Sequence, residues 1–117
     1  MYIHYNGNPC GINTIDCVIR AISIVTGYSR HKVYAGLCLQ GFQCTVWGNN
    51  NAVWADYLRY LGFKRYTAYG KQTVLEFAAN HPEGRFVVGT GTHAVAVVDG
   101  RYIDLFDSGQ EIVQYYF

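Results

Sequence analysis

Proline is nearly missing from this sequence: only Pro9 and Pro82 occur in 117 residues. Both stand beside turn-forming residues, and no polar, Pro/Gly-rich break interrupts the chain. A linker is therefore excluded, and residues 1–117 read as a single domain with one core. Charge is also scarce, at 15% with a net +1. No basic run exists, so the electrostatic footprint expected of a nucleic-acid binder is missing. No stretch approaches the roughly 18 to 20 apolar residues that cross a bilayer. No charged start followed by an apolar run marks a secretory signal, which predicts a cytoplasmic protein and no membrane partner. The four cysteines, Cys10, Cys17, Cys38 and Cys44, form no CxxC pair and no regular frame. That argues against a metal site and against a disulfide framework. One reactive thiol and three structural or incidental ones is the economical reading, with no cofactor required.

Half of the residues are hydrophobic and sixteen per cent are aromatic, enough for an ordinary globular core. The first half has a helical period. Ile15, Val18, Ile19, Ile22 and Val25 form one stripe over 15–26, and Ala21 with Ile24 adds a second apolar face, so this helix is expected to be central. Thr14 suits its start and Gly27 its end. A second helix follows Ser29, using Val33, Tyr34, Leu37 and Cys38, and is expected to stop near Gly41, with 42–50 as a loop. A third uses Val53, Trp54, Tyr57, Leu58 and Leu61 and ends at Gly62-Phe63. A fourth begins at Thr73, where Thr73 and Glu76 make a capping box. The second half turns to strands at 86–88, 93–98, 101–106 and 111–117, with Asp99-Gly100 as a hairpin turn. The expected fold class is α+β, with N-terminal helices packed on a C-terminal antiparallel sheet.

Cys17 falls in the first turn of the buried helix. Unpaired N–H groups and the positive end of the helix dipole favour its thiolate, the nucleophilic form. His93 opens an apolar strand, where an imidazole can act as base. Two acids compete to orient it. A two-residue Asp99-Gly100 turn pairs Val98 with Arg101 and puts Asp104 on the His93 face. A three-residue loop shifts the register by one and presents Asp107 instead. An Asp between Ile103 and Leu105 inside a strand is the costlier placement, which favours Asp104. The remaining acid then serves the Ser108-Gly109 turn. Nucleophile, base and orienter in the order Cys, His, Asp is the thiol form of the serine triad.

These residues carry a family resemblance. Asp16-Cys17-Val18-Ile19-Arg20-Ala21-Ile22 resembles the "DCVxRAI" signature of small proteins encoded by bacteriophages and their Firmicute hosts. The likeness continues through residues 51–58, 61–64, 73–78, 93–100 and 102–109, nearly the whole chain. That family is similar to papain-like peptidases that trim bacteriocin precursors after a double glycine, and to papain-like cell-wall amidases. The resemblance implies a papain-like fold, a catalytic set of Cys17, His93 and Asp104, and a thioester acyl-enzyme on Cys17. It also implies a peptide or protein substrate and the cytoplasm of a bacterial host if the protein is phage-encoded. It names no substrate. One departure stands out: no Gln precedes Cys17, where papain-like peptidases often place one to donate to the oxyanion. Asn13 or Asn8 are the candidate replacements, although Asn8 before Pro9 also suits a turn. A papain-like module that binds without turnover, and an acyltransferase or transglutaminase-like enzyme using the same residues, are the alternatives.

Overall fold

The computed structural model describes residues 1–6, 17–44, 51–68, 70–91 and 93–117. Among them the chain runs β1 (Tyr2–His4), α1 (Cys17–Thr26), α2 (Arg30–Cys44), α3 (Asn51–Tyr60), β2 (Tyr66–Thr67), α4 (Val74–Asn80), β3 (Arg85–Gly89), β4 (Ala94–Val98), β5 (Arg101–Asp104) and β6 (Tyr115–Tyr116). The strands form one sheet in the order β1-β5-β4-β3-β6-β2. This is an α+β domain, but its sheet is mixed. β1 pairs with β5 in parallel, Tyr2 opposite Tyr102 and His4 opposite Asp104, while the other pairs are antiparallel. The expectation of a C-terminal, purely antiparallel sheet is thus corrected: the N-terminal β1 and the mid-chain β2 both join it. Three residues are too few for a periodic signal. β1 is a strand because β5 offers it an open edge, and the Tyr2 ring lies 5.6 Å from that of Tyr102. Tyr66 in β2 likewise stacks on Tyr116 at 5.2 Å.

Each helix follows from local chemistry, with one difference from expectation. α1 buries Arg20, Ala21, Ile22 and Val25. It ends at Gly27, whose φ of +76° suits glycine and whose N–H donates to the Ser23 carbonyl. α2 does not stop near Gly41 but continues to Cys44. A glycine in a helix costs only about 1 kcal/mol relative to alanine, too little to end one that is packed. Its buried row is Val33, Leu37 and Gly41, spaced four apart. Tyr34 and Cys38 lie one residue further round and face solvent, so Cys38 is an exposed thiol and not a core residue. Gly36 lets α3 approach, since a Cβ there would lie 2.5 Å from the Tyr57 ring. α3 ends where Phe63 N–H donates to Leu58 and Gly62 N–H to Arg59, the paired bonds of a glycine stop. In α4, Thr73 and Glu76 make the reciprocal capping box.

The sheet is covered on both faces, which is why β3 and β4 are nearly continuous apolar runs. On one face α1, α2 and α3 bury Ile22, Val25, Leu37, Trp54 and Leu58 against Val87, Ala94, Ala96 and Phe117. On the other, Val74, Phe77 and Ala78 of α4 meet Val88, Val95, Val97 and Tyr102. The alanines of β4 face α1. Their small side chains let α1 settle closely over β4 and carry its first residue, Cys17, to the start of that strand.

Candidate active site

The β4–β5 turn decides which acid meets His93. Asp99 and Gly100 both have positive φ, +49° and +80°. Val98 pairs with Arg101, Val97 with Tyr102 and Ala96 with Ile103. This is a two-residue turn of the primed kind, whose twist matches the strands. One more step places Val95 opposite Asp104, with His93 on the diagonal. The His93 Nε2 lies 2.5 Å from Asp104 Oδ2. Asp107 has other partners: its Oδ1 accepts from the Tyr102 hydroxyl at 2.7 Å and from the Gly109 N–H at 3.0 Å. It closes the turn after β5 instead of reaching the imidazole.

Asp104 is fully buried, a cost that only hydrogen bonds and counter-charge offset. Four groups surround it. Oδ2 meets His93 and accepts from the Ser108 hydroxyl at 2.7 Å, and Oδ1 accepts from the Leu105 N–H at 2.7 Å and from the Arg20 guanidinium at 3.3 Å. The linear pattern gives Ser108 only a turn role and does not pair Arg20 with any acid. A signal for Arg20 was available: an arginine between apolar residues of a buried helix needs a buried partner. Nothing local distinguishes Ser108 from an ordinary turn serine.

Cys17 and His93 act on one another through hydrogen bonding and charge, which lowers the thiol pKa and raises that of the imidazole. Since Nε2 faces Asp104, Nδ1 is the ring nitrogen left for the thiol. Burial alone raises the thiol pKa, but the His93 hydrogen bond, the Ala94 N–H and the charges of His93 and Arg20 outweigh it, so the pKa is lowered. Burial alone would lower the imidazole pKa. Hydrogen bonds to Asp104 and Cys17, with their charges, lift it instead to about 9. Asp104 is held below its ordinary value: burial opposes this, while His93, Ser108 and Leu105 favour the carboxylate. The arrangement favours the thiolate and the imidazolium, each stabilised by the other's charge. The half-exposed Phe106 stacks on the His93 ring with centroids 4.9 Å apart. It shields one face of the imidazole from water, which strengthens the bonds beneath it.

Cys17, His93 and Asp104 are therefore brought together and Asp107 is not. Asn8 and Asn13, the oxyanion candidates, and the helix-start residue Thr14 lie outside the described residues. A groove of about 490 Å³ lies further along α1, lined by Ile3, His4, Ile24, Tyr28 and Arg30 among others. None of the three site residues lines it, so its volume is not the site of the chemistry. Among the described residues no three His, Cys, Asp or Glu side chains stand together as a metal site, and no helix is long and apolar enough to cross a membrane. No family model, curated protein or solved structure matches the chain.

Proposed function

We propose that this protein is a papain-like cysteine hydrolase, a peptidase or amidase, acting on a peptide or protein through a thioester on Cys17. The observation that carries this reading is the contact chain from the Cys17 thiol through His93 to the buried Asp104. The Cys17 thiolate attacks the substrate carbonyl carbon. A C–S bond forms and the carbonyl π pair moves onto oxygen. Collapse of that oxyanion expels the amine, which takes the proton held by His93. Water then attacks the thioester, giving its proton to His93, and the thiolate departs as the carboxylic acid forms. Asp104 holds the ring with Nε2 occupied, so that Nδ1 faces the sulfur throughout.

The rival reading, a module that binds a host or phage protein without turnover, is motivated by the absence of Gln ahead of Cys17. An electrophilic active-site probe separates the two. The hydrolase reading expects fast labelling of the Cys17 peptide in wild type, none in Cys17→Ala, and at least about 100-fold slower labelling in His93→Ala, within the range that general-base catalysis contributes. Labelling that persists in Cys17→Ala, or is indifferent to His93→Ala, would remove the hydrolase reading.

A further inference from the structure

The oxyanion needs donors aimed at where its charge develops. The Cys17 backbone N–H is one, and the residue that supplies the second is readable from the sheet. Ala94, which belongs to the core that Cys17 packs against, sits opposite Gly89 on β3, and Gly89 sits opposite Tyr115 on β6. The three form one row on the face that α1 covers. Gly89 contributes no side chain, and the Tyr115 ring occupies that space. A Cβ at Gly89 would lie 2.3 Å from the ring Cζ and 2.8 Å from the hydroxyl oxygen. The phenol tip is therefore directed along the row from β6 toward β4, over the residue directly opposite Ala94. Trp54 at 5.8 Å, Phe117 at 6.1 Å and the Arg65 guanidinium at 4.6 Å flank the ring. Cys17 and Tyr115 both pack against the core that contains Ala94. Burial raises the phenol pKa, the Arg65 charge opposes it and the Cys17 charge adds to it, with a net rise, so the hydroxyl keeps its proton to donate.

Strand order adds a second argument. In β5-β4-β3-β6, His93 stands at the start of β4 with Asp104 on its β5 side, and Tyr115 lies on the opposite, β6 side. The His93–Asp104 pair and the phenol thus come from opposite sides of the row. The geometry points to Tyr115 as a catalytic residue: its hydroxyl donates to the oxyanion formed when Cys17 attacks a carbonyl, in the role for which papain-like enzymes often use Gln. The inference rests on the acyl-transfer reading above.

Two reagents on the full chain test it, each followed at the Cys17 peptide by mass spectrometry. The ester p-nitrophenyl acetate acylates through a tetrahedral oxyanion, whereas iodoacetamide alkylates at a saturated carbon and forms none. In Tyr115→Phe, acylation is expected to fall about 100-fold while the alkylation rate and its pH profile stay as in wild type. Gly89→Ala should give the same selective loss, because its Cβ displaces the ring. Acylation unchanged in Tyr115→Phe, or equal loss with both reagents, overturns the assignment. Wild type that alkylates but does not acylate removes the acyl-transfer reading itself, and this inference with it.

Discussion

The end of β5 and the turn that follows it each hold an aspartate, three residues apart, in opposite circumstances. Asp104 is buried with four groups around it, among them an arginine and a histidine. Asp107 is exposed and closes a turn through Tyr102 and Gly109. Both have lowered pKa values. For Asp104 burial opposes the shift and hydrogen bonds overcome it, while for Asp107 the Tyr102 hydroxyl is the leading cause. The same chemical group is a charge hub in one place and a turn clasp in the other. Burial, and with it the number of donors required, makes the difference.

Substitutions should separate the two regions. The largest effect is expected from Asp104→Ala, which removes the buried carboxylate that Arg20 and His93 share. Breaking such a pair costs about 3–5 kcal/mol, read as a drop in the denaturant midpoint, and the His93 pKa should fall from about 9 in an NMR titration. Arg20→Met comes next, at about 2–3 kcal/mol, because Asp104 loses one charged partner but keeps His93. Ser108→Ala should cost about 1.5 kcal/mol, the lower range for a hydrogen bond to a charged group. Asp107→Asn should be smallest, with a midpoint inside the scatter of repeated wild-type measurements and the His93 titration unmoved. If Asp107→Asn destabilises more than Ser108→Ala, the contrast between the two regions fails.

The pH dependence of stability sharpens the same contrast. A raised imidazole pKa contributes stability that is present below the ordinary 6.5 and lost as pH climbs through about 9. A lowered thiol pKa acts oppositely, contributing stability above the ordinary 9.0 that is lost as pH falls through its folded value. Between about 6.5 and 9 the two contributions oppose one another. Wild type should therefore lose less stability across that window than the histidine contribution alone would cost. Cys17→Ala removes the thiol contribution and leaves His93 raised by Asp104 alone, so its stability should decline from pH 6.5 upward, by at most about 1.4 kcal/mol per pH unit and over a narrower window that ends below 9. Thermal melts of both proteins at several pH values check the sign.

Much of this architecture is legible in local sequence. Asp99-Gly100 specifies the two-residue turn, and with it the register that turns Asp104 toward His93. Thr73 with Glu76, and Gly62 with Phe63, mark helix ends because their bonds span only a few residues. The rest depends on distant partners. β1 and β2 are too short to show a period and exist through β5 and β6. The length of α2 is not legible because Gly41 stops an isolated helix more readily than a packed one, and the side of α2 that carries Tyr34 and Cys38 faces solvent although the linear pattern groups it with Val33 and Leu37. Arg20, Ser108 and the Gly89–Tyr115 fit acquire meaning only once the sheet aligns them. A buried arginine was the one such signal that the linear pattern carried.

The central claim is that His93 makes the Cys17 thiol acidic, and the pH profile of Cys17 alkylation by iodoacetamide tests it most directly. Exposed Cys38 is replaced by serine, and the reaction is followed at the Cys17 peptide in wild-type and His93→Gln backgrounds. The account predicts an apparent thiol pKa below the ordinary 9.0 with His93 present. With Gln in its place, the value should rise toward or above 9.0, because burial then acts with less opposition. Superimposable profiles in the two proteins would contradict the account.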